Sequence, residues 1–144
     1  MKKLFAIAIL AVTLCLTGLV VSGAALAQPC VDNGDGTVTD NGTGLMWQKA
    51  TAGPMNWFAA MSYANSLSLG GHLGWRLPSK DVLVNLYHSH CKSMMEVVSP
   101  LFYWSSTTNA GLMYVAWLVD FGNGVVYGSS KSHSYYVRAV RAGQ

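Results

Sequence analysis

The chain has 144 residues, of which 51% are hydrophobic and 10% charged, with a formal net charge of +3. Its length suits one ordinary domain. The small, nearly balanced charge excludes the strongly basic footprint of a general nucleic-acid binder.

In chain order, "MKKLFAIAILAVTLCLTGLVVSGAALAQ" comes first. Lys2 and Lys3 form a basic start, Leu4 to Val21 is almost wholly apolar, and Ala25-Leu26-Ala27 is a small-x-small cleavage site. This pattern predicts a signal peptide over residues 1–27 and export to the periplasm or beyond, with no membrane span after cleavage. A retained transmembrane anchor is the competing reading. A lipoprotein is not, because Cys15 follows Leu14 and Cys30 follows Pro29. With Lys2 and Lys3 gone, seven of the nine basic residues face six acidic ones, a net charge of +1 over residues 28–144. These residues form one predicted domain with no linker, repeat or low-complexity tract. Cys30 and Cys91 remain as an even pair in an oxidising compartment and predict a disulfide. Such a bridge closes a loop of about 60 residues, worth roughly 4 kcal/mol on the chain-entropy account. The alternative, metal binding by His88, His90 and Cys91 in "HSHC", matches no usual zinc spacing. No metal and no cofactor is expected.

"VDNGDGTVTDNGTGLMWQKA" alternates turn and strand signals. Thr37–Thr39 and Leu45–Trp47 read as strands, separated by a turn at Asn41-Gly42. Asp32, Asp35 and Asp40 invite a calcium reading, but Gly34 occupies a ligand position and no glutamate closes the loop, so they read as turn residues. Trp57, Ala60, Met61, Ala64 and Leu67 then fall at helical spacing, with Asn56 suited to the start and Gly70-Gly71 to the end. In "GWRLPSKDVL", Pro78 keeps Leu77 extended, and Ser79 caps a second helix through Val82, Leu83 and Leu86. The last third turns to β: "LFYWSSTT", then a hairpin around Gly122-Asn123-Gly124, then "YYVRAVRAG" as a final strand. Short strands, two helices and a β meander together predict an α+β domain.

The ordered set "DNGDGTVTDNGTGLMWQK", "NWFAAMSYANSL", "GWRLPSKDVL", "YWSSTT", "AWLVDFGNG" and "VRAVR" resembles the C-terminal domain of the Legionella collagen-like adhesin family, over about Val31 to Arg141. The resemblance implies a bacterial, extracytoplasmic, C-type lectin-like domain: two helices packed on a curled antiparallel sheet, with the termini close together. It also implies adhesion through sulfated polysaccharides, although no Gly-X-Y stalk is present to supply trimeric avidity. Gly74, Val82 and Ala139 stand where the family usually has an acidic residue, a glutamate and a cysteine. The sugar-binding triplets of calcium-dependent lectins are absent.

The function expected is an exported, calcium-independent, non-catalytic binding module for glycans or polyanionic surface polymers, with Lys131, His133 and Arg141 as cationic contacts and Tyr127 and Tyr135 as stacking surfaces. The partner is then an extracellular polysaccharide or cell-surface polymer, not nucleic acid. Arg76, Trp75, Trp104 and Arg138 are read as structural, with Asp120 a partner for Arg76 by fold resemblance. Alternation places at least one of Arg138 and Arg141 among apolar neighbours. Two alternatives stay open: an enzyme or accessory of the formylglycine-generating type, which needs reactive thiols or copper, and an envelope structural protein without a small ligand. No positioned base or serine elbow supports a hydrolase.

Overall fold

A computed structural model describes residues 28–96 and 102–143. The predicted signal peptide lies outside the described residues. The strands are β1 (Cys30–Asp32), β2 (Thr37–Asp40), β3 (Leu45–Gln48), β4 (Ala52–Met55), β5 (Phe102–Asn109), β6 (Leu112–Asp120), β7 (Val126–Ser130), β8 (Tyr135–Val137) and β9 (Val140–Ala142). The helices are α1 (Trp57–Ser66) and α2 (Lys80–His88), with a 3₁₀ turn at His90–Met94. The fold is α+β, as the sequence predicts.

The strands divide between two sheets. One has the order β1-β2-β3-β9 and is antiparallel; the other has the order β4-β8-β5-β6-β7 and is mixed, because β8 runs parallel to β5. The first and last strands therefore share a sheet. Both helices begin where their caps predict: Asn56 Oδ1 accepts from the Ala59 N–H at 2.9 Å and Ser79 Oγ from the Val82 N–H at 3.3 Å.

Period-two alternation distributes side chains to two cores. Val38, Trp47, Tyr103, Val119 and Val140 join Leu83 and Leu86 of α2 in one. Met46, Trp104, Leu118, Val137 and Ala139 join Ala60 and Ala64 of α1 in the other, with Trp75 and Leu77. Small residues at i and i+4 let α1 lie close to the sheet. The Cys30–Cys91 disulfide is present, 61 residues apart in sequence, and ties β1 to the 3₁₀ turn. Cys91 is thus a bridge residue and not a metal ligand.

The expected single strand over "YYVRAVRAG" is corrected: it is two strands in different sheets. Between them the alternation fails, and Val137, Arg138, Ala139 and Val140 are all fully buried. The chain crosses from one sheet to the other here, so both faces of the crossover meet protein. Arg138 makes the crossing possible. Nη1 donates to the Gln48 carbonyl at 2.9 Å and also to the Lys49 carbonyl; Nη2 donates to Thr51 Oγ1 at 3.0 Å and to the Glu96 carbonyl. One arginine fork thereby satisfies backbone acceptors of the β3–β4 connection and of the segment after the 3₁₀ turn. Burial pulls its pKa below the ordinary value, opposed by the neighbouring Tyr103 hydroxyl.

Candidate functional site

In "VYGSSK" alternate residues share a face. Tyr127 lies opposite Leu118, and Ser129 opposite Ala116, on the side of the mixed sheet that α1 covers. Tyr127 is 43% exposed and meets Phe102 edge-on, with 5.9 Å between ring centroids. Phe102 lies 6.1 Å from Tyr135, which in turn meets Trp104 at 5.1 Å. The sheet curls enough for Ser129 Oγ to donate to Tyr135 Oη at 3.1 Å, across strands that are not neighbours. His133 Nδ1 is 3.0 Å from the same Ser129 hydroxyl, and its ring is exposed. Ser130 and Ser132 share a hydroxyl hydrogen bond beside it at 2.9 Å. The structure thus gathers Tyr127, His133 and Tyr135 around Phe102 and Ser129, two residues that the sequence reading did not single out. The alternation of Tyr127 with Ser129 was the available signal for one of them.

Lys131 continues that alternation and is corrected from an exposed contact to a buried side chain, 9% accessible. Its N–H donates to the Tyr114 carbonyl at 2.8 Å, and its own carbonyl accepts from the Trp57 N–H at 3.1 Å. Nζ lies 4.1 Å above the Trp57 ring. The inward face of the strand simply extends one position further, and an indole face replaces water around the ammonium group.

Arg141 is in the other sheet. Nε donates to the Leu73 carbonyl at 2.9 Å, and the guanidinium stands 6.0 Å from the Trp75 ring. The expected basic cluster of Lys131, His133 and Arg141 therefore does not form. Cations resting on aromatic rings recur, with Lys92 over Tyr87 at 3.9 Å and Arg138 5.2 Å from Tyr103. Carboxylates are scarce and several close turns instead: Asp35 accepts from Thr37, Asp40 from Gly42 and Thr43, and Asp120 from Gly122.

Arg76 also differs from expectation. Its backbone is the fixed part: the N–H donates to the Val140 carbonyl at 2.8 Å and the carbonyl accepts from the Val140 N–H at 2.9 Å. Trp75 and Leu77 on either side are each 2% exposed. The guanidinium is exposed and has no hydrogen bond or ion pair among the described residues. Asp120 is not its partner, because that carboxylate holds its own turn. The scaffold role belongs to the main chain at position 76 and to the side chain of Arg138. Trp104 is fully buried, and its Nε1 donates to the Met55 carbonyl at 2.9 Å.

The Lcl C-terminal domain model matches residues 36–141, most of the chain. The chain belongs to the Lcl C-terminal domain family. This is the family that the motifs indicate, and it is an adhesin-related one. No curated protein matches the chain. Among the described residues of this Lcl C-terminal domain, no helix is long and apolar enough to cross a membrane, and no three His, Cys, Asp or Glu side chains are grouped to hold a metal ion.

Proposed function

We propose that this Lcl C-terminal domain is an exported, non-catalytic module that binds extracellular polysaccharide without calcium. The observation that carries the reading is the edge where exposed Tyr127 shares a strand face with Ser129, whose hydroxyl links His133 to Tyr135. An aromatic ring flanked by hydroxyl and imidazole groups suits a sugar, whose apolar face stacks while its hydroxyls find partners. A histidine rather than a lysine at this edge makes anionic sugars acceptable without making charge the main source of affinity. Arg141 and Arg76 add cationic surface elsewhere for a long polymer. The formylglycine-type alternative needs reactive thiols or copper, and the joining of Cys30 to Cys91 removes those two thiols.

The test is retention of the protein on immobilised sulfated and neutral polysaccharides, with and without a chelator. Retention should survive chelation, weaken with salt on the sulfated matrix, and fall several-fold in Tyr127→Ala and His133→Ala, both exposed and expected to fold. Retention on neither matrix at low salt would instead favour the envelope structural reading.

A further inference from the structure

The sequence has three Asn-Gly pairs, and each joins two antiparallel strands: Asn33-Gly34 between β1 and β2, Asn41-Gly42 between β2 and β3, and Asn123-Gly124 between β6 and β7. Asn-Gly is chemically fragile, because glycine puts no side chain in the path of its own nitrogen. That nitrogen loses its proton to solvent base and attacks the asparagine Cγ. The side-chain amide takes up a proton and leaves as ammonia. Water then opens the resulting succinimide to aspartate or isoaspartate. Either product adds a negative charge, and isoaspartate also inserts a carbon into the main chain of the turn. The three asparagines are exposed, so burial does not protect them.

The fold itself requires two of the glycines. Gly34 and Gly124 have φ of +75° and +76°, and a Cβ on Gly124 would stand 2.5 Å from the Tyr87 ring. Yet in all three pairs the attacking nitrogen is already engaged. The Gly34 N–H donates to Asp32 Oδ1 at 3.0 Å, the Gly42 N–H to Asp40 Oδ1 at 2.9 Å, and the Gly124 N–H to the Asp120 carbonyl at 2.7 Å. The asparagine side chains are held as well. Asn33 Nδ2 donates to the Thr37 and Thr39 hydroxyls at 2.9 and 3.0 Å, and Asn41 Nδ2 to the Gln28 carbonyl at 2.7 Å. Asn123 Oδ1 accepts from the Val125 N–H at 2.9 Å.

We infer that Asn33, Asn41 and Asn123 are latent deamidation sites, kept closed by the aspartates that hold the N–H of the following glycine. The same local device occurs twice as Asp-Asn-Gly, at 32–34 and 40–42, where a side chain bonds the backbone two residues on. A carboxylate accepting the N–H opposes the step in two ways. It ties up the proton that must leave, and it sets a negative charge against the amide anion that would form. At Gly124 a main-chain carbonyl does the first of these, and the Asp120 carboxylate holds the turn through Gly122. The aspartates thus have a chemical role beyond turn formation. The inference does not depend on what the domain binds.

The experiment is a time course in mildly alkaline buffer, with peptide mapping by mass spectrometry to count aspartate and isoaspartate at each of the three positions. The folded protein, its disulfide intact, should convert all three asparagines far more slowly than the same protein unfolded in denaturant. Asp32→Ala changes an exposed residue and keeps the fold. It should speed conversion of Asn33 by about tenfold, the effect of one lost hydrogen bond to a charged group, and leave Asn41 and Asn123 at the parent rate. Asp32→Ser, whose hydroxyl can accept the same N–H, should restore much of the protection. Lys49→Met removes the ion pair to Asp32 but not the Gly34 contact, and should leave Asn33 at the parent rate. Equal rates in folded and unfolded protein would overturn the inference. So would an Asn33 no faster in Asp32→Ala than in the parent, or a slower one, which would make the carboxylate a base rather than a guard. An equal rise at all three positions would assign the effect to global unfolding and overturn it too.

Discussion

Replacing Arg138 by methionine tests the account of the crossover most directly. The side chain is fully buried, and its two terminal nitrogens serve the carbonyls of Gln48, Lys49 and Glu96 and the Thr51 hydroxyl. Methionine fills much of the volume but donates nothing, so two or three buried acceptors lose their partner at about 1–2 kcal/mol each. Part of this is recovered, because a desolvated guanidinium and an unpaired Nε are removed with the arginine. The net expectation is a loss of about 2–4 kcal/mol, because the acceptors left behind are neutral and no charge is stranded. For a domain of this size that lowers Tm by very roughly 8–25 °C. Urea unfolding of the protein with its disulfide intact measures it. Arg76→Met is the control: its guanidinium is exposed, and the expected change stays within about 0.5 kcal/mol. If Arg138→Met unfolds within about 1 kcal/mol of the parent, the view that one guanidinium secures the crossover is wrong.

Three further outcomes are expected. Replacing Cys30 and Cys91 by serine together should cost about 4 kcal/mol, from the 61-residue separation, measured by thermal unfolding of the non-reduced proteins. Lys131→Glu should destabilise by about 2 kcal/mol or more, because it sets a poorly solvated carboxylate against the Trp57 ring, whereas Lys131→Met should stay within about 1 kcal/mol; equal stability of the two would mean the side chain is not held there. The Lys49 ammonium, 2.7 Å from Asp32, holds that carboxyl below its ordinary value of 3.8. A depressed folded value means the pair stabilises the fold fully above 3.8 and loses that effect as pH falls through the lowered value; Lys49→Met should shift the Asp32 carbonyl-carbon titration back toward 3.8.

Much of the local structure was legible in the sequence. The turn chemistry at Asn41-Gly42 and Gly122-Asn123-Gly124, the caps Asn56 and Ser79, and the helical spacing from Trp57 to Leu67 each depend on neighbours within a few residues. The two cysteines left after the predicted cleavage likewise pointed to one bridge, because no other pairing was available. The family was legible too, since its motifs are spread along the chain in fixed order and the match covers residues 36–141.

The roles of the cations were not legible, and the reason is physical. Whether an arginine is buried depends on what lies across the sheet from it, and that is set by pairings as distant as Gln48 with Arg138. Arg76 and Arg138 both stand among apolar residues in sequence, yet one side chain faces solvent and the other is sealed by the crossover between two sheets. Lys131 looked like part of a basic tail because His133 and Arg141 follow closely. The tertiary fold sends it under α1, leaves His133 at the surface and carries Arg141 to the other sheet. The cleft between α2 and the antiparallel sheet had no sequence signature either: Asp40, Trp47 and Asn85 belong to a strand, another strand and a helix, and only the register of β2 against β3 and the packing of α2 make them line one space. Sequence determined which residues are donors, acceptors and apolar; long-range packing decided which of them water can still reach.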